Sequence, residues 1–344
     1  MTARPMANRE IRLAARPAGL PGPEHFALVE APVPDPGPGQ VLVRNRWFRL
    51  SASLRMMISE GATEVEGVPL PALGPGDVLG GEALGEVLAA PAGSGLRAGQ
   101  LVRHPLGWRE YAAVPVAACL PVGDELPDPV AQLGHGATAY AALTRGLALR
   151  RDDTVLVTAA SGAIGSMAGQ LARLLGAGRV VGTTGSAAKA ARLVAEFGFD
   201  AAVVRGAAEP LAEQLARAAP AGFDAVLDAA GGEQLAAAVA TARTGARIAL
   251  IGALAGQLAP GGAGRSAPVT LDSFQLLVKK LTLRGYSADD DPDVAAEWPA
   301  VFGRWLRDGR IRFPHQRVAG LERAPQALVE LMAGQRFGAV IVEL

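Results

Sequence analysis

The chain has 344 residues, half of them hydrophobic and 19% charged, the profile of a packed globular protein with room for two domains. Lys+Arg and Asp+Glu both number 33, so no net field recruits nucleic acid or an anionic membrane surface. The single cysteine, Cys119, excludes an intrachain disulfide and a zinc site built from four cysteines.

The start of the chain, MTARPMANREIRLAARPAG, is polar and broken by prolines, so it does not read as a signal peptide. No apolar run reaches the ~20 residues that span a bilayer, and a cytoplasmic location is the expectation. Residues 1–127 read as β-rich. Short apolar segments, Gln40–Arg46 and Leu79–Leu88, are separated by turn-rich stretches such as PVPDPGPGQ. Cys119, within VPVAACLPV, reads as a small buried hydrophobe. From residue 128 to 310 the pattern changes to strands alternating with Ala/Leu-rich helices. The predicted strands are Asp153–Thr158, Arg179–Thr183, Ala201–Arg205, Phe223–Asp228, Ala246–Gly252 and Leu281–Tyr286. Unbroken Val/Ile/Leu/Ala runs are buried on both faces, which predicts a doubly wound parallel sheet of the α/β class. Helices are expected over Ile164–Leu175 and Ala187–Phe197, and the Gly/Pro-rich stretch Gly256–Pro268 reads as a long functional or mobile loop. After Asp293 an amphipathic helix through Leu306 puts Trp298, Phe302 and Trp305 on one face, as core or interface residues. Residues 311–344 hold another helix and end in the strand GAVIVEL.

The strongest local signal is Val155–Gln170, VLVTAASGAIGSMAGQ. A buried strand runs through a glycine turn straight into a helix, the context that a dinucleotide fingerprint needs. Ala160, Gly162 and Gly165 fill its three positions, with Ser161, Ala163 and Ile164 between them. Gly162 lets the backbone approach a diphosphate and Gly165 lets the helix pack closely on the strand. The phosphates would lie at the helix N-terminus. At the end of the next strand an NAD site carries Asp or Glu for the ribose 2′-hydroxyl. Here Thr184-Gly185-Ser186 is followed by Lys189, which favours the 2′-phosphate of NADPH. Arg205, after the third strand, can close that pocket.

The chain resembles the zinc-independent medium-chain dehydrogenases/reductases, a group that includes leukotriene hydroxydehydrogenase/prostaglandin reductase, 2-alkenal double-bond reductases and curcumin reductases. The resemblance spans nearly the whole sequence. It rests on Asn8-Arg9, Ala15-Arg16-Pro17, Gly39 to Arg44, Gly107-Trp108-Arg109-Glu110-Tyr111, Gly136-Ala137-Thr138-Ala139-Tyr140, the turn AASGAIGS, Thr184-Gly185-Ser186 with Lys189, Asp228 to Gly232, and Gly252-Ala253. It implies an N-terminal GroES-like domain (residues 1–127, completed by 311–344), an inserted Rossmann NADPH-binding domain (128–310) and a substrate cleft between them. It also implies that Ser186 and Lys189 serve the 2′-phosphate, that Gly252 and Ala253 belong to the cofactor site, and that the Rossmann domains pair as a homodimer. The apolar edge strand Leu281–Tyr286 points to the same pairing. The departures fall on the substrate side. The family's D-P-Y-M-R is Ser51-Ala52-Ser53-Leu54-Arg55, read as Leu54 replacing an active-site tyrosine. A second tyrosine is Gln257, the third-strand tyrosine is Arg205, and G-x-N-x-G-K becomes Gly334-Gln335-Arg336-Phe337-Gly338-Ala339.

The implied reaction is NADPH-dependent reduction of the carbon–carbon double bond of an enone or enal. Hydride goes to the β-carbon, and charge develops on the carbonyl oxygen, where hydrogen-bond donors lower the barrier. In this family the nicotinamide ribose 2′-hydroxyl is one such donor; Tyr140 and Tyr286 are the protein candidates, with His135 behind them. No metal is expected, because His25, His104, His135 and His315 show no HExxH-like spacing. A quinone reductase of the same fold is the alternative enzyme, and a catalytically decayed nucleotide-sensing module is the alternative outside enzymology.

Overall fold

The computed structural model describes residues 7–63 and 71–344. The first six residues of the proline-broken N-terminal segment lie outside that range. Strands β1 (Asn8–Leu13) and β2 (Phe26–Ala31) form an antiparallel pair. Next come β3 (Gln40–Leu50), β4 (Ala83–Ala89), β5 (Leu101–His104), β6 (Tyr111–Pro115) and β7 (Leu120–Pro121). The middle of the chain supplies β8 (Thr154–Val157), β9 (Arg179–Thr184), β10 (Ala201–Val204), β11 (Phe223–Asp228), β12 (Ala242–Leu250) and β13 (Thr282–Gly285). The chain then returns with β14 (His315–Ala319) and β15 (Ala339–Glu343).

Two sheets result. The first runs β14-β15-β3-β4-β5-β7, with β6 also on β3, and it needs the tail of the chain to be complete. The second is six-stranded in the order β10-β9-β8-β11-β12-β13, and its pairings are all parallel. This is the doubly wound order, with the reversal beside β8, where ligands bind in such sheets. The three apolar residues of β8, Val155, Leu156 and Val157, are fully buried, as expected for a strand covered by helices on both faces.

Differences from the sequence-based expectation have local causes. β3 continues four residues past Arg46 because β15 pairs with its far end, Glu343 lying opposite Trp47 and Val340 opposite Leu50. β14 was not anticipated; it is a mostly polar strand stabilised by parallel pairing with β15. Trp298, Phe302 and Trp305 are buried along the helix Pro292–Arg307 and belong to the main nucleotide-side core. Cys119 is buried among Val41, Val43, Val102 and Val114, and burial raises its thiol pKa. No helix among the described residues is long and apolar enough to cross a membrane.

A buried polar knot fixes the first sheet. His104 Nε2 lies 2.8 Å from Asn45 Oδ1, and the Leu106 N–H donates to His104 Nδ1 at 3.2 Å. Nδ1 is therefore an acceptor and the ring is neutral, which agrees with a pKa lowered by burial and by Arg109 to about 4. An unfolded chain takes up that proton below about pH 6.5, but the native protein does so only near 4. The associated stability, up to about 3 kcal/mol, is present above pH 6.5 and lost as the pH falls towards 4. The thermal midpoint is expected to drop between about pH 7 and about pH 5, less steeply in His104→Asn. A pH-independent midpoint would contradict the buried neutral ring.

Candidate active site

The nucleotide turn follows β8. Ala159 has a positive φ of 48°, the Ala160 N–H donates to Thr183 O at 2.8 Å, and the Gly162 N–H donates to Ala159 O at 2.9 Å. The helix Gly165–Leu174 starts at once. A Cβ on Gly165 would lie 2.5 Å from Ala159 O and 2.6 Å from the Ala160 Cα, so this crossing of helix and strand admits only glycine. A Cβ on Gly162 would meet nothing but Ala159 O, at 3.3 Å. Among the described residues, the backbone N–H groups of Ser161 and Ile164 have no acceptor, while that of Ala163 faces the tail through the bridge between Gly162 and Gly338. Unpaired donors at a helix N-terminus fit a diphosphate.

Behind the turn, four buried polar residues tie the carboxyl ends of the strands together. Thr158 Oγ1 donates to Asp228 Oδ1 at 2.5 Å, and the N–H groups of Ala230 and Gly231 donate to the same carboxylate. Burial pushes the Asp228 pKa up, and these hydrogen bonds oppose the shift. Gln234 joins Thr183 to the Ala159 N–H. Gly252 crosses Ala229 so closely that a Cβ would stand 2.8 Å from its carbonyl oxygen, with Ala253 following at the start of a short helix.

The second cofactor region gathers at the end of β9. Thr184 Oγ1 lies 2.9 Å from Ser161 Oγ, and Ser186 caps the next helix by accepting from the Lys189 N–H. The Arg205 guanidinium lies over Gly185, with Nη2 3.5 Å from where a Cβ would be. Lys189 and Arg205 make no ion pair among the described residues. Burial lowers the Lys189 pKa, and the Arg205 charge lowers it further. Two neighbouring cations with no carboxylate between them fit a doubly charged phosphate.

Lys189 also has protein partners that sequence reading missed. Its Nζ donates to Gly334 O and to Arg336 O. The tail segment Gly334–Gly338 therefore lies across the nucleotide turn, where the Gly338 N–H donates to Ser161 O at 2.9 Å. Phe337 is buried against Phe197, and Arg192 stands 4.3 Å over its ring. The changed letters at Arg336 and Phe337 were the only available signal.

On the substrate side one assignment is corrected. Leu54 is 4% exposed and packs into the core of the first sheet with Phe48, Met57 and Trp108. In the match of Ser51-Ala52-Ser53-Leu54-Arg55 to D-P-Y-M-R, the tyrosine's place belongs to Ser53. That residue is half-buried, with its hydroxyl 2.7 Å from Ser51 Oγ. Gln257 does come to the same region, its Nε2 3.8 Å from Met56 Sδ. Arg55 brings it there. This fully buried guanidinium donates to the carbonyl oxygens of Gln257, Ala259, Gly261 and Gly262. Arg265 answers from the loop by donating to Met56 O. The long glycine-rich segment thus folds around a cation from the other domain.

Tyr140 packs against Trp298 and Trp305, with ring centroids 5.4 and 6.1 Å away. Burial and then Glu297 raise its pKa. Tyr286 donates to Asp291 Oδ2 at 2.7 Å, and burial followed by that carboxylate raises its pKa too. A phenol already bonded to a carboxylate is a poorer acid, which weighs against Tyr286 as the proton donor. Among the described residues, no group of three His, Cys, Asp or Glu stands close enough to hold a metal ion.

Comparison with known proteins adds two family matches. Residues 9–122 match the family described as the N-terminal domain of oxidoreductase, and residues 163–305 match the family described as zinc-binding dehydrogenase. A putative NADP-dependent oxidoreductase of Bacillus subtilis (strain 168) is 30% identical over 342 residues, covering 98% of both chains. The NADPH-dependent curcumin reductase of Escherichia coli (strain K12) is 31% identical, covering 98% of this chain and 97% of its own. The crystal structure of CurA from Vibrio vulnificus in complex with NADPH superposes with a TM-score of 0.85 at 31% identity, covering 97% of this chain and 98% of that one.

Proposed function

The chain belongs to the medium-chain dehydrogenase/reductase family, and from that premise we propose that it is an NADPH-dependent reductase of the carbon–carbon double bond of α,β-unsaturated carbonyl compounds. The observation that carries the cofactor half is the carboxylate-free pair Lys189 and Arg205 beside Ser186. Support for the alkene half comes from full-length relatives such as the curcumin reductase. The N–H groups of Ser161 and Ile164 would hold the diphosphate, and Ser186, Lys189 and Arg205 the 2′-phosphate. Bound NADPH supplies a hydride. The loop 257–265 is held by Arg55 at the substrate side, and the tail segment Gly334–Gly338 lies across the nucleotide turn.

The test is consumption of NADPH with benzylideneacetone against menadione as acceptor, with product analysis. The saturated ketone is the expected product, formed faster than the quinone is reduced. Quinone reduction alone would point to the other enzyme of this fold, and no turnover with either would sink the assignment.

The working unit is proposed to be a homodimer. β13 ends the six-stranded sheet, and all four of its residues are exposed. The neighbouring helix Ser273–Val278 exposes Phe274 and Leu277, at 64% and 73%. An open apolar sheet edge invites a second strand. Light scattering is expected to give the dimer mass for the natural protein and the monomer mass for Leu277→Asp. A monomeric natural protein would contradict the pairing.

A further inference from the structure

Tyr286 already donates to Asp291, so the charge that forms on the substrate's carbonyl oxygen can take another protein partner beside the cofactor's ribose hydroxyl. Arg49 pairs with Ile341 across β3 and β15, and directly opposed residues share a face of the sheet. Ile341 packs with Leu84, Val130, Leu133 and Ala339, and Ala163 of the nucleotide turn joins that cluster. Leu50, the next residue along β3, lies in the opposite core with Phe48. Arg49 therefore stands on the side of the sheet that faces the nucleotide domain.

Its bonding is sparse. Among the described residues its side chain makes one hydrogen bond, from Nη1 to Leu133 O at 3.4 Å, although a guanidinium has five N–H donors. The acid that acts on it, Glu82, is already paired with Arg103 at 3.6 Å. Two guanidinium groups thus share one carboxylate. Arg49 is only half-buried, yet burial lowers its pKa, with Glu82 opposing and Arg103 adding to the shift. His135 is also half-buried, and burial and the Arg49 charge lower its pKa well below the usual range. Its Nδ1 is enclosed with no hydrogen-bond partner. An enclosed imidazole nitrogen is ordinarily paired, and beside it the Arg49 guanidinium keeps N–H donors that no protein acceptor takes up.

We propose that Arg49 is a catalytic residue, which binds the carbonyl oxygen of the unsaturated substrate and holds the negative charge that develops there, with neutral His135 beside it as a second hydrogen-bonding group. The proposal rests on the alkene-reductase reading above. In balance, the β-carbon receives a hydride, which is one hydrogen and two electrons, from the reduced nicotinamide. The π pair of the double bond moves towards the carbonyl, and its oxygen becomes an enolate held by Arg49. As the C=O bond re-forms, water gives the α-carbon a proton and its hydroxide is neutralised by one from bulk solvent, leaving the saturated ketone and oxidised cofactor with one proton consumed overall. An always-charged guanidinium supplies no proton here, so it stabilises the enolate without quenching it.

The test uses full-length Arg49→Gln and Arg49→Lys with benzylideneacetone, and titration of NADPH by its fluorescence. In Arg49→Gln, kcat is expected to fall by about a hundredfold or more, as for loss of one oxyanion donor. The NADPH Kd should change by less than about threefold, which is under about 0.7 kcal/mol. The isotope effect from NADPH deuterated at the nicotinamide C4 should grow as hydride transfer becomes limiting. Arg49→Lys should recover part of the rate, because it keeps the charge. Binding of the acetylacetone anion to the NADP+ complex, strong in the natural protein and lost in Arg49→Gln, reads the same site without turnover. If the natural protein reduces no alkene but this anion contrast holds, the substrate reading fails and the oxyanion site stands. A raised NADPH Kd with an unchanged kcat would make Arg49 a diphosphate ligand and overturn the proposal. A loss of folding in Arg49→Gln that is fully cured in Arg49→Lys, with normal kcat and unchanged anion binding, would reduce it to a structural tie.

Discussion

Gly165→Ala is expected to weaken NADPH binding by about tenfold to a few hundredfold and to lower the stability of the nucleotide domain. The added methyl would stand 2.5 Å from Ala159 O and 2.6 Å from the Ala160 Cα, both backbone atoms that no side-chain rotation can move. The helix Gly165–Leu174 must then back away from β8, and overpacking of this kind costs about 1–3 kcal/mol. The turn that leads into it carries the unpaired N–H groups proposed to face the diphosphate, so the same displacement misaims the donors. Gly162→Ala separates the two effects. Its methyl would approach only Ala159 O, at 3.3 Å, and otherwise enters the space left for the ligand. It should weaken NADPH binding with little change in thermal midpoint. Calorimetric unfolding and NADPH fluorescence titration on both variants check this. Natural affinity in Gly165→Ala would mean that the cofactor does not use this turn.

Lys189→Ala is expected to cut NADPH affinity by about tenfold to a hundredfold, from the loss of a charge-assisted hydrogen bond worth about 1.5–3 kcal/mol. NADH should lose less, so the NADPH/NADH preference narrows. Some loss with NADH is expected as well, because Nζ also donates to the carbonyl oxygens of Gly334 and Arg336 and so fastens the tail across the turn. Arg205→Ala makes no such tie and should narrow the preference with NADH untouched. Kd measurements for both nucleotides decide the matter. Equal losses with NADPH and NADH in both variants would remove the 2′-phosphate assignment.

What could be read from the sequence was what depends on neighbours along the chain. The strand, turn and helix around Gly162 and Gly165 are one local unit, and the parallel strands announce themselves as unbroken apolar runs. Ser186 and Lys189 likewise sit within one cap of the helix Ala187–Glu196. What escaped depends on partners distant in sequence. Arg55 meets Gln257 across 202 positions, and Lys189 meets Gly334 across 145. The partners of Tyr140 were out of reach because Trp298 and Trp305, on which it packs, belong to a helix much later in the chain. The error at Leu54 was one position in a tight helical turn, where a single step moves a side chain from the cleft side to the core. Arg49 left no motif; its face of the sheet is set by the pairing of β3 with β15.

The central claim is that hydride is added to an alkene carbon, and the fate of a label tests it most directly. Benzylideneacetone is turned over with NADPH deuterated at the nicotinamide C4, and the product is examined by NMR. The account predicts deuterium at the β-carbon and nowhere else. In a parallel reaction with unlabelled NADPH in D2O, it predicts solvent deuterium at the α-carbon. Cofactor deuterium on the carbonyl carbon, with an alcohol as product, would show ketone reduction and contradict the account.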